Sequence, residues 1–246
     1  MNARLPERDV STTELLICVI AELLRGIRHV AVGAASPIPG SGALLARAQS
    51  NGATRVSILG SPHHHSFTDG GVELFDLAAQ GRIDAFFLGG GQIDGQGNIN
   101  LVGAGNYPNA EVRWPGSFGS AYLYFLVPRV ILFREEHTRR VMVPKVDFIS
   151  APGTSDDAVY RRGGPYAMVT RLGVFGFDRE RRRFKLLSAH PGHSVEEILD
   201  NTGFEIEIPS NCGITAAPEP EALELVRSTV RDEVAAVYPR FAEQLI

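Results

Sequence analysis

A chain of 246 residues with 44% hydrophobic and 21% charged side chains is ordinary globular material, long enough to bury about 70% of the surface its unfolded form would expose. Its formal charge of −4, with no block of lysine or arginine, excludes the electrostatic footprint of a nucleic-acid binder. No run approaches eighteen consecutive apolar residues, and Glu7, Arg8 and Asp9 stand where a signal peptide needs a basic and then an apolar stretch, so the expectation is a cytoplasmic protein without a membrane span.

Ser11-Thr12-Thr13-Glu14 reads as a capping box. It leads into a helix whose broad apolar stripe runs through Leu15, Leu16, Cys18, Val19, Ile20, Leu23 and Leu24 and stops near Gly26. Cys18 lies inside that stripe and far in sequence from Cys212, which points to a buried thiol in a reducing compartment rather than to a disulfide or metal ligand. Val30 and Val32 mark a strand at 29–32, a loop follows through Gly40, and a helix is expected over 41–49. The unit then repeats as a strand at 55–59, a loop at 60–71, a helix at 72–80 and a strand at 85–88 that runs into three glycines. Such alternation predicts an α/β fold in one domain over 1–246: an open, mostly parallel sheet with helices on both faces and right-handed crossovers. Ligands in such sheets bind beyond the carboxyl ends of the strands. The loops at 33–40, 60–71, 89–98 and 115–120 therefore become the candidate site.

Alternation of apolar and polar residues from Ile93 to Leu101, around Asp94-Gly95 and Gln96-Gly97, predicts a hairpin. A helix at 120–126 and a strand at 129–133 continue the fold. Short β-type runs at 141–143, 146–149, 168–172, 174–177 and 184–187 suggest the mixed far end of the sheet. The charges of Arg179, Glu180, Arg181, Arg182 and Arg183 read as a solvated turn. A short helix is expected at 194–200. From Pro220 onward Leu223, Val226, Val230, Val234, Val237 and Phe241 recur every three or four residues, marking one face of a final helix that docks on the core or on a partner.

Gly89-Gly90-Gly91-Gln92 follows an apolar strand, where glycines allow close backbone approach and leave amides for a negative oxygen. No Gly-Lys-Ser/Thr follows, and the spacing fails the dinucleotide fingerprint. Pro115-Gly116-Ser117-Phe118-Gly119-Ser120 precedes a helix and suits an oxyanion or merely a capped helix entry. Ser117 and Ser120 become nucleophiles only with a base beside them. His63-His64-His65 resembles a metal site, but neighbouring side chains on an extended loop point to alternating sides; substrate contact and plain loop filling are the other readings, and no metal is expected. His190 and His193 read as turn and cap residues. Glu135-Glu136-His137 offers a base or, more simply, a solvated strand end. Asn98, Asn100, Asn106 and Asn109 alternate with glycine in a long loop, as turn chemistry prescribes.

Taken in order, Phe87-Leu88-Gly89-Gly90-Gly91-Gln92-Ile93-Asp94-Gly95-Gln96-Gly97-Asn98-Ile99-Asn100, Gly116-Ser117-Phe118-Gly119-Ser120-Ala121, Val169-Thr170-Arg171-Leu172-Gly173-Val174-Phe175 and Thr202 after Val195-Glu196-Glu197-Ile198 resemble the beta half of class I coenzyme A transferases. The resemblance covers roughly residues 25 to 205. It implies the fold of that family and an acyl-CoA thioester as substrate, with CoA part of the substrate and no further cofactor. One departure stands out. Where conventional beta chains carry Ser-Glu-Asn-Gly, with the glutamate as covalent nucleophile, this chain reads Val56-Ser57-Ile58-Leu59-Gly60-Ser61-Pro62-His63. Glu73, the next glutamate, falls in a predicted helix.

Ser61-Pro62-His63-His64-His65-Ser66-Phe67-Thr68-Asp69 and Arg113-Trp114-Pro115-Gly116-Ser117-Phe118-Gly119 are similar to a subgroup of that family, the beta subunits of actinobacterial steroid ring-opening hydrolases. That resemblance implies a heterotetramer of two alpha and two beta chains in which the alpha-type partner supplies the catalytic glutamate. The expected contribution of this chain is then substrate and oxyanion contact from Ser61, His64, Gly90, Gly91, Gln92, Asn98, Ser117, Phe118 and Gly119, with Gly119→Val expected to stop turnover and spare assembly. Transfer of CoA between carboxylic acids and a noncatalytic ligand-binding or assembly role are the alternatives.

Overall fold

The structure, a computed structural model, describes residues 10–68 and 70–245; Glu7, Arg8, Asp9 and Asp69, invoked above, lie outside them. In chain order the elements are α1 (Thr12–Leu23), β1 (His29–Val32), α2 (Pro37–Gln49), β2 (Arg55–Ile58), α3 (Gly70–Ala79) and β3 (Ala85–Leu88). Four two-residue strands follow, β4 (Gln92–Ile93), β5 (Ile99–Asn100), β6 (Gly103–Ala104) and β7 (Val112–Arg113). Then come α4 (Ser120–Leu126), β8 (Arg129–Phe133), β9 (Pro165–Val169), β10 (Gly173–Asp178), β11 (Arg183–Ala189), α5 (Val195–Asp200) and β12 (Gly213–Ile214). The chain closes with α6 (Pro220–Leu225), a π-helical turn (Val226–Val230), α7 (Arg231–Ala235) and α8 (Pro239–Ala242).

Eight strands form one sheet in the order β12-β11-β10-β9-β8-β3-β1-β2. From β2 to β9 all neighbours are parallel, whereas β10 pairs antiparallel with both β9 and β11. The open, mostly parallel sheet with a mixed C-terminal end is thus present. Its strands alternate between two cores. Val30, Val32, Ala85, Phe87 and Ile131 point into the layer formed with α1, α2 and the C-terminal helices, while Ala31, Phe86, Leu88, Val130 and Leu132 point into the opposite layer with α3, α4 and α5. Period-two side-chain alternation makes a strand that is apolar at every position a strand buried on both faces.

The capping box at the start of α1 forms as its sequence requires: Ser11 Oγ accepts from the Glu14 amide at 3.2 Å and Glu14 Oε2 accepts from the Ser11 amide at 2.9 Å. Glu14 is itself buried and receives Arg227 Nε at 2.6 Å. Burial pushes its carboxyl up, but the hydrogen bonds from Arg227 and Ser11 outweigh that and hold it below the usual carboxylate range. This pair ties the first helix to the C-terminal stretch, whose Val226, Val230 and Val234 are wholly buried in the same core.

Several expectations need correction. α2 begins at Pro37, not at 41, because Pro37 and Pro39 occupy a first turn in which a missing N–H costs nothing. The runs at 141–143 and 146–149 are not strands. Only Met142 forms a bridge there, to Ile93; Val141, Met142, Val143 and Val146 are buried, the first two in the core shared with Ile93 and Ile99. β9 starts three residues before the expected 168 and ends at Val169, since Thr170 to Leu172 make the turn into β10, closed by Thr170 N to Gly173 O at 3.1 Å. The single final helix is interrupted by the π turn and again before Pro239.

His137 departs furthest from expectation. Instead of a solvated strand end it is 3% exposed and pinned between Thr170 Oγ1 and Thr202 Oγ1, each 2.9 Å from a ring nitrogen. Burial pushes its pKa down to about 4, so the folded state holds the ring neutral. The unfolded chain takes up that proton near the ordinary histidine value of about 6.5. The contribution is therefore complete above that pH and is lost as pH falls toward 4, by about 3 kcal/mol. Urea denaturation of the native chain and of His137→Asn at pH 7 and pH 4.5 should show a markedly larger acid loss in the native chain; parallel losses would assign acid sensitivity to other groups.

Candidate functional site

Because β2, β1, β3 and β8 run parallel, the loops leaving all four meet at one edge of the sheet. Two adjoining clefts open there. The larger, about 1110 Å³, has apolar walls that include Leu59, Leu74, Phe86, Leu101, Trp114 and Leu123. The smaller, about 770 Å³, is walled by Arg134, Glu135, Glu136, His137, Arg171 and Glu197. Ala35, Ser36, Gly89, Phe133 and Arg134 belong to both.

The triple glycine forms the floor shared by loops and cleft. A Cβ on Gly90 would lie 2.7 Å from the Ile99 side chain and 2.8 Å from Gln92 O, and one on Gly91 would overlap the Trp114 ring. These glycines are present because neighbours approach too closely for any side chain. The Gly91 amide already donates to Asn100 O at 2.9 Å, whereas among the described residues the amides of Gly89 and Gly90 have no acceptor. Gln92 lines the larger cleft, yet its carboxamide is committed: Nε2 donates to Asp147 at 2.8 Å, and Oε1 accepts from Asn100 Nδ2 at 2.8 Å and from the Asp147 amide at 3.0 Å. Asn98 lines neither cleft. It is buried beneath the hairpin, giving Nδ2 to Asp94 at 3.1 Å and taking the Gly153 amide at 3.0 Å.

Ser117 and Phe118 also line the larger cleft. Phe118 adopts a left-handed backbone, φ +43°, and is 80% exposed, with its ring centroid 5.4 Å from that of Phe75. Gly119 stands behind the lining as the N-cap of α4, and a Cβ there would overlap the Phe75 ring. Gly119→Val is consequently a packing defect and not the clean functional probe expected from sequence. Neither Ser117 nor Ser120 hydrogen-bonds a histidine or carboxylate among the described residues, so neither is an activated nucleophile. Ser120 nevertheless lines the larger cleft with its Oγ buried and unpartnered.

Ser61 and His64 lie outside both clefts. Ser61 Oγ accepts from the amides of His63 and His64 at 3.4 and 3.1 Å, and His64 Nε2 reaches Glu233 of α7 at 2.9 Å. His65 Nδ1 takes the Gly60 amide at 3.0 Å. The triplet is therefore split between loop closure and a contact with Glu233, and no cluster able to hold a metal exists among the described residues. At the tip of β2 Leu59 faces the larger cleft, and positions 55–68 contain no carboxylate. Glu73 is engaged with the Thr68 amide.

Arg134 and Arg140 escaped the sequence reading, although an arginine directly after an apolar strand is a visible signal. Arg134 Nη2 and Arg140 Nη2 bind Glu136 at 3.0 and 2.8 Å, and Thr138 Oγ1 adds a bond at 2.9 Å. Burial raises the Glu136 carboxyl, but these donors, Arg140 foremost, hold it below its usual range. Glu135 in contrast is exposed at the lip of the smaller cleft. The tight fit around α4 gives a direct test: Gly119→Ala should destabilise the fold by about 1–3 kcal/mol through overpacking, and adding Phe75→Leu should recover most of it in denaturant titrations. Additive losses would mean that the ring is not the obstacle.

Residues 15–201 match the Coenzyme A transferase family. The chain is 31% identical over 151 residues to a glutaconate CoA-transferase chain of Acidaminococcus fermentans, covering 58% of this chain and 56% of that one. It is 32% identical over 162 residues to the IpdB chain of the cholesterol ring-cleaving hydrolase of Rhodococcus jostii, covering 64% and 63%. The chain thus spans less than two thirds of the length of these curated relatives. Among solved structures, IpdAB of Rhodococcus jostii superposes with a TM-score of 0.81 at 26% identity over 97% of this chain and 99% of that one. The decarboxylase AibA/AibB follows at 0.77, with 23% identity and coverage of 97% and 99%, a likeness of fold. The chain belongs to the coenzyme A transferase family, and within it is of the beta type.

Proposed function

We propose that this chain is the beta-type subunit of a heteromeric enzyme that opens a carbocyclic ring on a steroid-derived CoA thioester by hydrolytic C–C cleavage, paired with an alpha-type chain in a two-alpha, two-beta assembly. The observation that carries this reading is the tip of β2, where Leu59 faces the cleft and no carboxylate occurs over 55–68. Transfer of CoA through an enzyme-bound thioester needs a carboxylate nucleophile. The resemblance to ring-cleaving IpdB chains supplies the alternative chemistry, and an apolar cleft of about 1110 Å³ has room for a bulky acyl group.

In the proposed reaction water adds to a ring ketone placed β to the thioester carbonyl. The bond between the ketone carbon and the α carbon breaks, its electron pair passes into the thioester enolate, and protonation of the α carbon completes the ring-opened acid. A base must take the proton of the attacking water, and donors must hold the oxyanion. The free amides of Gly89 and Gly90 suit the second task. The first is assigned to the alpha-type partner, as the family resemblance implies, and the arginine-bound Glu136, held below its usual range, is a poorer base than a free carboxylate. CoA enters as part of the substrate and no further cofactor is called for. Two free cysteines, one of them, Cys18, pushed up to about 12 by burial and by Glu14, suit a reducing cytoplasm.

A second reading, CoA transfer between acids, is favoured by Glu135, the exposed carboxylate at the smaller cleft. Co-purified with its alpha-type partner, the complex should open ring-bearing CoA thioesters in water without exchanging CoA with acetyl-CoA or succinyl-CoA, and Glu135→Gln should leave the rate within about threefold, the range expected of a residue outside the chemistry. Exchange between acids, with a borohydride-sensitive enzyme thioester that vanishes in Glu135→Gln, would establish transfer instead.

A further inference from the structure

Buried polar atoms nearly always find partners, because a donor or acceptor stripped of water and left alone costs stability. Among the described residues the buried side-chain nitrogen and oxygen atoms without a hydrogen-bond partner are Ser41 Oγ, Ser120 Oγ, Arg134 Nε and Glu233 Oε2, and the last lies 2.9 Å from His64 Nε2. Two of the three that remain line the same apolar cleft. We infer that Ser120 and Arg134 are specificity-determining contacts for two oxygen functions on the acyl group: a carbonyl or hydroxyl oxygen at Ser120 inside the apolar cleft, and a carboxylate at Arg134 where the two clefts join. The inference deepens the thioester reading above and rests on it.

Ser120 is 5% exposed, and its own amide is spent on Ser117 O at 2.9 Å, so the hydroxyl alone remains to be satisfied. The walls about it are carbon: Leu74, Phe86, Trp114 and Leu123 belong to the same lining. An acyl chain that is hydrocarbon throughout would fill this space and leave the hydroxyl stranded. One carrying an oxygen beside the hydroxyl satisfies both partners, and a site built for such an oxygen discriminates sharply against the analogue that lacks it.

Arg134 commits Nη2 to Glu136 and keeps Nε without an acceptor. Glu136 is bound by Arg140 as well, so one carboxylate is shared between two guanidinium groups. In the lining of the larger cleft the charged side chains are Arg134 and Arg140, and no acid is present. Glu135, Glu136 and Glu197 face the smaller cleft together with Arg171. The larger cleft therefore carries net positive charge at one end and apolar surface elsewhere, which suits an acyl group that ends in a carboxylate. A guanidinium whose Nε has no acceptor offers such a group a charge-assisted contact that an ammonium does not reproduce.

Calorimetric titration of the co-purified complex with matched thioesters tests both contacts. Hexanoyl-CoA is the reference, 3-oxohexanoyl-CoA adds one oxygen, adipyl-CoA adds one carboxylate, and 2-oxocyclohexanecarboxyl-CoA against cyclohexanecarboxyl-CoA repeats the oxygen comparison on a ring. Ser120→Ala should weaken the oxo members about fivefold and leave their partners unchanged, as loss of one neutral hydrogen bond requires; its melting temperature should not fall, since an orphaned hydroxyl is removed. Arg134→Gln should weaken adipyl-CoA about thirtyfold relative to hexanoyl-CoA, the scale of a charge-assisted contact, with Arg134→Lys recovering only part. Equal losses within each pair, no loss, or loss of assembly in either variant would overturn the assignment. Discrimination among the linear thioesters with no binding of either ring compound would sink the ring-opening reading and leave the two contacts standing. Failure to bind any thioester would remove both.

Discussion

The site depends on a lattice of buried side-chain hydrogen bonds under the loop between β3 and α4. That excursion has only four two-residue strands, too few ladder bonds to hold a shape. Carboxylates and carboxamides take their place. Asp94 Oδ1 accepts the amides of Gln96 and Asn98 at 3.0 and 3.1 Å. Asn100 gives Nδ2 to Gln92 and to Gly103 O and takes the Val102 amide on Oδ1. Asp147 reaches from the next segment to Gln92 and to the Gly105 amide, both at 2.8 Å. A network satisfied throughout rigidifies its surroundings, whereas removal of one member strands several others in low dielectric. Gly90 and Gly91 then carry the floor of the cleft because Ile99 and Trp114 press directly on it.

The sheet supplies the other half of this arrangement. Its parallel strands deliver every carboxyl end to one edge, and its alternating residues bury both faces. Polar staples tie distant segments of this framework together. His137 joins the turn after β9 to the residues after α5 through Thr170 and Thr202, and Arg227 closes the N-terminal helix onto the C-terminal stretch through Glu14. Each staple favours one protonation state, His137 the neutral ring through burial and Glu14 the carboxylate through its bonds from Arg227 and Ser11. Rigidity of the site edge and its pH range therefore have a common origin.

Most of this architecture is legible in the sequence wherever periodicity spans a whole element. The helix at 120–126 and the strands at 29–32, 85–88 and 129–133 have the bounds that their apolar patterns prescribe. What escaped was set by distant partners. Val141 and Val146 look like strand residues because β-branched side chains suit any buried surface, and both are buried outside a ladder. Ser61 and His64 look like ligand contacts, yet one closes its own turn and the other meets Glu233 far along the chain. The glycine cluster and the absence of a carboxylate over 55–68 are readable directly, since they depend only on which residues are present. Which polar atoms remain unsatisfied depends on every neighbour at once, and no local pattern encodes that.

Under the proposed reading the electrostatics of the cleft explain why its chemistry is divided between two chains. A cleft whose charged lining is Arg134 and Arg140 favours negative charge that develops on a bound thioester, because fixed cations lower the energy of an enolate or oxyanion beside them. The same field works against a base. Any carboxylate placed among these arginines is held ionised and acidic, as Glu136 is, and an acidic carboxylate is a weak proton acceptor near neutrality. Stabilising the product of proton transfer and performing that transfer therefore make opposite demands on one surface. A base carried by an opposing chain, desolvated as the two surfaces close, keeps its affinity for a proton while the cationic cleft receives the charge. On that account the leucine at the tip of β2 is a consistent part of the design: it leaves the apolar wall unbroken and reserves the ionisable work for the facing chain.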